Sequence, residues 1–510
     1  MNDTVLPSVL PARVLIVGLG ETGVAAARWC VRNGAALRVA DTRQTPAGLE
    51  QLRQTIGEAS LELHLGATAF DETLLEGIGL LVLSPGLIPS VSPIKELLEL
   101  AQDACIEVIG EIELFARALQ QLKTTHQYAP RILGITGTNG KTTVTALTRQ
   151  MLSEAGISVR AAGNIGPAAL ACLLEALDTE TLPDVWVLEL SSFQLETTRS
   201  LHMTAAVVLN VTQDHLDWHG DMASYARAKA RIYGMTDLLL VNRDDALVRE
   251  MCEGLTRTNV RSFGRDAPMW TADVGLESSH DVSWLTASEL TEFEEDLPSP
   301  PKRKKNAPLP ERHTGRLVRL MPTDALGVQG LHNALNTQAA LLLARAVGAG
   351  FGPILRAATE YKGEPHRMEF VRSVRGVDCF NDSKGTNVGA TVAGLEGLGR
   401  RVVLIAGGAG KGQDFSPLIT VVARLARAVV LIGQDAHLLA DTLAATGVPC
   451  LFAQSLPQAV DLAFDHAQES DALVLSPACA SLDMFRNYSH RGQVFVEATL
   501  ELALSQGEVA

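Results

Sequence analysis

ITGTNGKTT, residues 135–143, is a glycine-rich stretch between an apolar run and a helical pattern. Residues 131–135 are predicted to form a buried strand, and residues 142–155 a helix. Between them, Gly137 and Gly140 allow the backbone amides to turn inward toward an anion. A strand, a glycine-rich loop and a helix in this order predict an α/β domain that binds phosphate groups.

The same loop carries a cation and a hydroxyl group. Lys141 can reach the terminal phosphates of a nucleotide, and Thr142 can bind magnesium. The usual pattern has its first glycine five residues before the second, and Ile135 occupies that position in this chain. The stretch is therefore a variant phosphate loop, and it predicts a site for a nucleoside triphosphate.

The composition is that of a globular protein with several domains. The chain has 510 residues, of which 46% are hydrophobic, so about three domains are expected. The net charge of −15 argues against a nucleic-acid partner. The seven cysteines occur singly, which favours reduced thiols, and no apolar stretch approaches the roughly 20 residues of a membrane span. We expect a cytoplasmic enzyme that acts as a monomer.

The first 109 residues are predicted to form a Rossmann-like domain. A short strand at 14–17 leads into Gly18-Leu-Gly-Glu-Thr-Gly23, and a second strand at 37–40 ends at Asp41. This pattern is typical of dinucleotide sites, but it also holds other diphosphates, and nothing further along the chain resembles a site for hydride transfer. We therefore favour a different diphosphate over a nicotinamide cofactor.

Residues 110–363 are predicted to form a central domain around the phosphate loop. Its later strands, at 185–190 and 205–211, end in polar residues that should converge on the phosphates. Residues 271–316 are acidic, proline-rich and lysine-rich, and we expect a flexible insertion there that builds no core.

Residues 364–510 are predicted to form a third α/β domain, again Rossmann-like. Its strands are followed by Asp-Ser-Lys at 382–384, Gly-Gly-Ala-Gly-Lys at 407–411 and Ser-Pro-Ala-Cys-Ala-Ser at 476–481. Three α/β units with polar groups at their strand ends predict ligands in clefts between domains, and closure by domain motion.

Nine motifs, taken in order, resemble the Mur ligase family, and most closely its D-glutamate-adding branch. The phosphate loop and the His-x-Asp motif are shared with folylpolyglutamate synthetases, whereas the last two motifs indicate the D-glutamate branch. A D-N-P-R block, which marks the diamino-acid-adding enzymes, is absent from the sequence. The motifs are GITGTNGKTT (134–143), GNIG (163–166), LELSSFQLE (188–196), NVTQDHLD (210–217), AKARIY (228–233), HNALN (332–336), PHR (365–367), NDSKGTN (381–387) and LSPACASLD (475–483).

The resemblance implies a reaction in two steps for peptidoglycan precursor synthesis. ATP phosphorylates the carboxylate of UDP-N-acetylmuramoyl-L-alanine, and the amino group of D-glutamate attacks the acyl phosphate through a tetrahedral intermediate. The first domain then holds the UDP end of the substrate, the central domain is the ATPase and the third binds the amino acid. The residues alone do not distinguish D-glutamate from L-glutamate, which stays open.

The resemblance also implies roles for individual residues. Two magnesium ions are expected, with Lys229 carbamylated as a ligand of the second. The catalytic residues are Lys141, His215, Lys229 and Lys384, and the metal ligands are Thr142, Glu189, His215 and Lys229. The ATP-binding residues are Gly137, Thr138, Asn139, Gly140, Lys141, Thr142, Thr143, Asn336, Arg367 and Asp382. The residues that bind the UDP substrate are Glu21, Thr22, Thr42, Arg43, Gly86, Asn164 and Ser191, and those that bind D-glutamate are Thr386, Lys411, Ser481, Leu482 and Tyr488.

Two positions depart from the family pattern, and two other functions stay open. Glu21 stands where relatives often carry an apolar residue, and Ala409 where many carry an acid. One alternative is an enzyme similar to folylpolyglutamate synthetases, although the separate first domain suits a UDP sugar better. The other is a nucleotide-binding regulator without ligase activity, in which the lysines of the third domain would be idle.

Overall fold

The chain forms three α/β units, each built on its own parallel or mostly parallel sheet. The computed structural model describes residues 10–56, 61–253, 259–289 and 312–508. In these residues, no helix is long and apolar enough to cross a membrane. The expected three-domain α/β fold is confirmed, whereas the exact boundaries at 109/110 and 363/364 stay predictions.

The first domain has a five-stranded parallel sheet in the order β3-β2-β1-β4-β5. Its central strand is buried at four of five positions and ends at the glycine turn that opens the first helix, as predicted for a Rossmann-like unit. The strands are β1 Arg13–Val17, β2 Ala36–Asp41, β3 Leu61–Leu65, β4 Leu80–Leu83 and β5 Glu107–Ile109; the helices are α1 Glu21–Arg32, α2 Leu49–Ile56 and α3 Ile94–Asp103, and helix α4 Glu111–His126 follows at the predicted start of the central domain.

The central domain has a six-stranded parallel sheet in the order β11-β10-β9-β6-β8-β7. The strand that precedes the phosphate loop is the fourth in this order, so the loop emerges in the interior of the carboxyl edge. The strands are β6 Arg131–Thr136, β7 Val159–Gly163, β8 Val185–Glu189, β9 Met203–Val208, β10 Thr236–Asn242 and β11 Val260–Phe263. The helices are α5 Lys141–Glu154, α6 Ala169–Asp178, α7 Ser192–Glu196, α8 Leu216–His219, α9 Met222–Ala230, α10 Ala246–Glu250, α11 Leu331–Ala346 and α12 Phe351–Glu360.

A three-stranded antiparallel sheet lies where we predicted an insertion without a core. The strands β12 Val274–Ser279, β13 Val282–Glu289 and β14 Arg316–Pro322 pair in this order. The prediction was wrong for residues 274–289, because their alternating apolar side chains, among them Leu276 and Leu285, pack into the core of the central domain. The charged, proline-rich residues 290–311 lie outside the described part of the chain.

The third domain has a six-stranded sheet in the order β15-β16-β20-β17-β18-β19, parallel except for its β15-β16 edge. Buried apolar side chains cover both faces. The strands are β15 Glu369–Val374, β16 Val377–Asn381, β17 Val402–Gly407, β18 Ala426–Ile432, β19 Cys450–Phe452 and β20 Ala472–Leu475; the helices are α13 Val388–Leu398, α14 Leu418–Leu425, α15 Ala436–Leu443, α16 Leu456–His466 and α17 Tyr488–Ser505.

The three domains are joined in two different ways. One hydrophobic cluster runs from the first domain into the central domain, where the rings of Phe115 and Trp186 meet edge to face with their centroids 5.3 Å apart. Among the described residues, the clusters of the third domain contain no residue of the other two. Polar contacts at the phosphate loop join it to the central domain instead.

Candidate active site

The phosphate loop needs glycine at two positions. Gly137 has a φ of +147° and Gly140 a φ of +86°, which L side chains rarely adopt. A Cβ at Gly140 would also lie 2.5 Å from Oδ1 of Asn336, a residue predicted to contact adenine. The amide of Asn139 donates to Asn210 Oδ1 at 2.8 Å, so the loop after β9 fixes the phosphate loop. The expected convergence of strand ends is thus present.

Two lysines lie beneath the phosphate loop and share one carbonyl oxygen. The Nζ atoms of Lys141 and Lys229 each donate to the oxygen of Gly137 at 2.9 Å. Burial lowers the pKa of both, and the charge of Lys141 lowers the pKa of Lys229 further, well below its ordinary value. The charge of Lys141 thus favours the neutral amine of Lys229, while an anion in the loop would be attracted to Lys141.

A buried carboxylate lies at the end of the neighbouring strand β8. Glu189 is 1% exposed, and its Oε1 accepts from Asn164 Nδ2 at 2.7 Å. Its Oε2 is buried and has no hydrogen-bond partner. An unpaired carboxylate oxygen next to a phosphate site is a suitable ligand for magnesium. Among the described residues, no three His, Cys, Asp or Glu side chains form a cluster that could hold a metal by themselves, so phosphate oxygens and the hydroxyl of Thr142 would have to complete the coordination.

His215 lies on the other side of the loop, after β9. Its Nε2 is 3.6 Å from Asp214 Oδ2, and its ring packs edge to face against Phe193. Burial lowers the pKa of His215 to about 4, Asp214 opposes this shift, and the nearby lysines Lys411, Lys141 and Lys229 add to it. The imidazole is therefore neutral at neutral pH, which is the form that binds a metal ion.

The third domain places two cations on the phosphate loop. Arg367 donates from Nη2 to Thr142 Oγ1 at 2.7 Å, and Lys384 donates from Nζ to the same oxygen at 3.2 Å. Burial and the charge of Arg367 lower the pKa of Lys384 to about 8, and its ammonium group lies 5.0 Å from the centre of the Tyr488 ring. Burial raises the pKa of Asp382 to about 7, although Ser476 Oγ donates to it at 2.7 Å.

A cleft of about 440 Å³ opens between the central and third domains. Six residues predicted to bind ATP line it, namely Asn139, Gly140, Thr143, Asn336, Arg367 and Asp382. It is large enough for a nucleoside. Asn242 and Phe263, which also line the cleft, were not predicted, because they end strands β10 and β11 without any spacing that marks a ligand. His332, from the HNALN motif, lines it as well.

The residues predicted to bind D-glutamate surround Lys384 only in part. Tyr488 contacts Lys384, and the amide of Thr386 donates to the Lys384 oxygen at 2.9 Å. Ser481 is buried, whereas Leu482 is 72% exposed. Lys411 is exposed, and its charge acts on His215.

A fully buried arginine that we did not predict holds two of these loops together. Arg491 donates from Nη2 to the backbone oxygens of Ser383 at 2.8 Å and Cys479 at 3.1 Å. It therefore fixes the loop that carries Lys384 against the loop that leads to Ser481. Arg491 belongs to none of the motifs recognised in the sequence, so it could not be predicted from them.

Several residues predicted to bind the UDP substrate already have partners within the protein. Arg43 forms two hydrogen bonds from its side chain to Asp41, and Ser191 caps helix α7 in a capping box with Gln194. Glu21 is exposed, and its Oε1 accepts from the amide of Ala168 at 3.0 Å in the central domain. The other three predicted residues lie at the carboxyl edge of the first sheet. Thr42 follows β2, Gly86 lies in the loop after β4, and Thr22 is at the start of α1.

Comparison with known proteins shows which families this chain is similar to. Residues 12–110 match the family "Mur ligase MurD-like, N-terminal domain", residues 135–307 "Mur ligase middle domain" and residues 366–479 "Mur ligase, glutamate ligase domain". A UDP-N-acetylmuramoylalanine--D-glutamate ligase of Bordetella bronchiseptica is 61% identical over 100% of both chains. A protein of the same name from Ralstonia nicotianae is 52% identical, over 97% of this chain and 98% of its own. The MurF ligase of Thermotoga maritima, solved in complex with ADP, has the same fold with a TM-score of 0.56 at 15% identity, over 99% of both chains.

Proposed function

Because this chain belongs to the Mur ligase family, we propose that it joins D-glutamate to UDP-N-acetylmuramoyl-L-alanine, using ATP, in peptidoglycan precursor synthesis. One observation carries the proposal: cationic side chains from two domains converge on one phosphate loop. Lys141 approaches it from the central domain, and Arg367 and Lys384 from the third. Phosphoryl transfer to a carboxylate brings several negative charges together, so it requires such a cluster of cations.

The chain's own residues position the two carboxylic reactants and the nucleotide. Gly137 to Thr143 hold the phosphates through backbone amides, Lys141 and the hydroxyl of Thr142. In the cleft, Asn336 meets the adenine, while Arg367 and Asp382 approach the ribose and phosphates. Arg367 comes from the third domain, so the phosphoryl-transfer site is complete only when that domain lies against the central one.

The donor set fits two magnesium ions. Thr142 and Glu189 would hold one, since Glu189 Oε2 is buried and unpaired. His215 and Lys229 would hold the other, with Lys229 as a carbamate. Burial and the charge of Lys141 lower the pKa of Lys229, which favours the uncharged amine that can add to carbon dioxide. The ions would neutralise the charge of the phosphates and of the acyl phosphate.

The amino acid and the UDP end of the sugar nucleotide bind to different domains. D-glutamate has two carboxylates, and each needs an anion-binding group. These groups are provided by Lys384 and Lys411, together with Thr386, Ser481, the backbone at Leu482 and Tyr488. Lys384, with its pKa lowered to about 8, lies at the phosphate loop where the amine would meet the acyl phosphate. The UDP end lies on the first domain at Glu21, Thr22, Thr42, Arg43 and Gly86, while Asn164 and Ser191 face the muramoyl peptide. We place the enzyme in the cytoplasm as a monomer.

Phosphate release by the purified protein tests this function. The assay contains ATP, magnesium and UDP-N-acetylmuramoyl-L-alanine, with D-glutamate, L-glutamate or neither in parallel reactions. We expect release with D-glutamate alone, matched by a product that is heavier by one glutamyl residue. Release with L-glutamate alone would transfer the proposal to the L-glutamate-adding variant. Silence in all three reactions would reject it and favour a folate acceptor, the next substrate to try.

A further inference from the structure

Two asparagine side chains face each other across the junction between the central and third domains. Asn139, in the phosphate loop, donates from Nδ2 to Asn387 Oδ1 at 3.2 Å. In return, Asn387 donates from Nδ2 to Asn139 Oδ1 at 3.0 Å. These residues are 248 positions apart in the chain, and Asn387 is 4% exposed. A reciprocal amide pair with one member buried and the other partly buried favours one relative position of the two domains.

A third hydrogen bond fixes the orientation of the Asn387 amide. Its Oδ1 also accepts from the amide of Ala390 at 2.9 Å, because Asn387 is the N-cap of helix α13. The cap requires an oxygen at this position, so the nitrogen must point toward the central domain. There it also donates to Asp214 Oδ2 at 3.3 Å. Asn387 thus contacts the phosphate loop and the loop that carries His215 at the same time.

The backbone next to Asn387 approaches the same surface closely. A Cβ at Gly389 would lie 3.0 Å from Thr212 Oγ1 and 3.3 Å from Asn139 Nδ2, so a larger residue would crowd these side chains of the central domain. Asp414 makes a second contact between the domains, from its amide to Gln213 Oε1 at 3.2 Å. The third domain is therefore built to lie against residues 212–214.

Lys384 and Asn387 belong to one loop, residues 382–387, between β16 and α13. Lys384 reaches Thr142 and Asn387 reaches Asn139, so this loop holds the phosphate loop at two points. We propose that Asn387 is a positioning residue. Its contact with Asn139 fixes the third domain on the phosphate loop and thereby places Lys384 for the reaction. The role in turnover rests on the proposed function, whereas the contact itself does not.

A serine at this position separates positioning from capping. Asn387→Ser keeps an oxygen that can cap α13, but its side chain is too short to reach Asn139. We expect kcat to fall by roughly 10- to 100-fold and the KM for D-glutamate to rise, because a misplaced reacting group is costly. The dissociation constant for ADP should change much less than kcat, because all residues predicted to bind ATP, including Arg367 and Asp382 of the third domain, are retained. Ser455→Ala, which removes the cap of α16 far from the site, is the control and should leave kcat unchanged.

A double-mutant cycle tests whether the two asparagines act through each other. If they do, Asn139→Ala combined with Asn387→Ser will be no slower than the slower single variant, within about twofold. Losses that multiply would overturn the proposal, because they would show that each side chain acts alone. An unchanged kcat for Asn387→Ser would overturn it as well.

Hydrogen exchange tests the contact without any turnover. With ADP bound, peptides covering residues 137–141 and 212–215 should exchange several-fold faster in Asn387→Ser than in the wild type, while the peptide at the start of α13 keeps its protection. Unchanged exchange in the two loops would overturn the proposal. If the wild type releases no phosphate with D-glutamate, the proposed function fails, but this measurement still decides whether Asn387 holds the phosphate loop.

Discussion

Two glutamates on the same turn of α4 show how burial sets the charge of a side chain. Glu111 is 3% exposed, and the amide of Leu170 donates to its Oε1 at 2.6 Å, whereas its Oε2 has no partner. Burial, and to a smaller extent the charge of Glu21, raise the pKa of Glu111 from 4.5 to about 7. Its protonated form is thus the one that favours the folded state.

The stability that protonated Glu111 contributes should be complete below pH 4.5 and lost as the pH rises through about 7. The rise of the pKa from 4.5 to about 7 corresponds to a change in the free energy of unfolding of about 3 kcal/mol at most. Glu111→Gln imitates the protonated form, so we expect its unfolding midpoint to match that of the wild type at pH 5 and to exceed it by about 3–6 °C at pH 8.5. Thermal unfolding at both pH values checks this. A midpoint below that of the wild type at pH 8.5 would contradict it.

Glu113 provides the control on the same helix. Burial raises its pKa, but hydrogen bonds from the amides of Ser200 and Arg199 and from the side chain of Arg117 outweigh burial, so the net pKa lies below the ordinary value. The stability from this group is present at neutral pH and is lost as the pH falls. Glu113→Gln should therefore lower the unfolding midpoint at pH 8.5, the opposite of Glu111→Gln.

Lys384 distinguishes the ligase from a regulator that only binds nucleotide. If Lys384 acts at the phosphate loop, Lys384→Ala should lower kcat by about 10²- to 10³-fold, because a charge that faces the transition state is lost. The unfolding midpoint should change little, since a lysine at a strand end contributes little to the core. Steady-state kinetics and thermal unfolding check both values. Lys362→Ala, at an exposed lysine outside the site, is the control, and full turnover by Lys384→Ala would favour the regulator.

The carbamate proposed at Lys229 has its own test. Lys229→Ala removes the ligand, so turnover should fall by about 10²-fold or more. A small carboxylate added to the assay should restore part of it, because it supplies similar oxygen atoms in the cavity that remains. Mass spectrometry of the native protein with and without carbon dioxide gives a readout that does not depend on activity. Normal turnover by Lys229→Ala would reject the carbamate.

At the scale of the element, helix α5 has a left-handed glycine at each end, and the two differ in their surroundings. Gly140 precedes the helix with a φ of +86°, and Gly156 follows it with a φ of +74°. A Cβ would meet Asn336 at the first position, whereas nothing lies within 4 Å at the second. Substitutions at the two glycines therefore distinguish the effect of backbone strain from the effect of contact with the nucleotide site.

Alanine at either glycine should cost roughly 1–2 kcal/mol of stability, because a left-handed conformation is strained for an L residue. Only Gly140→Ala should also weaken ADP binding, by about tenfold or more, since its Cβ displaces Asn336 from the cleft. Titration calorimetry with ADP and thermal unfolding measure the two effects. Equal ADP affinities for the two variants would contradict the assignment of the cleft to the nucleotide.

At the scale of the whole molecule, the two kinds of domain junction predict two unfolding transitions. The first and central domains share a hydrophobic cluster, whereas the described contacts of the third domain with the phosphate loop are polar. Calorimetry of the protein without ligand should therefore show the first two domains unfolding together and the third by itself.

Two fully buried phenylalanines test this arrangement. Phe115 packs on Trp186 in the hydrophobic cluster that the first and central domains share, and Phe495 lies in the core of the third domain. Each substitution by alanine should cost about 3–5 kcal/mol. Phe115→Ala should lower only the transition of the first two domains, and Phe495→Ala only that of the third. A single transition that both variants lower equally would show that the polar junction unites all three domains.

The sequence by itself determined the three α/β units, because buried parallel strands leave continuous apolar runs that can be recognised locally, as at 14–17, 131–136 and 402–407. It also determined the phosphate loop, since its glycines and lysine act within one short segment. The antiparallel sheet β12–β14 was missed because acidic and proline-rich neighbours masked its alternating pattern.

Only the tertiary structure decided which distant residues meet at the site. The pair of Asn139 and Asn387, the two cations on Thr142 and the buried Arg491 join segments far apart in the chain. Their partners depend on how the sheets pack and how the third domain lies on the second. The physical reason is that a hydrogen bond or a pKa shift depends on distance and burial, which the order of residues along the chain does not contain.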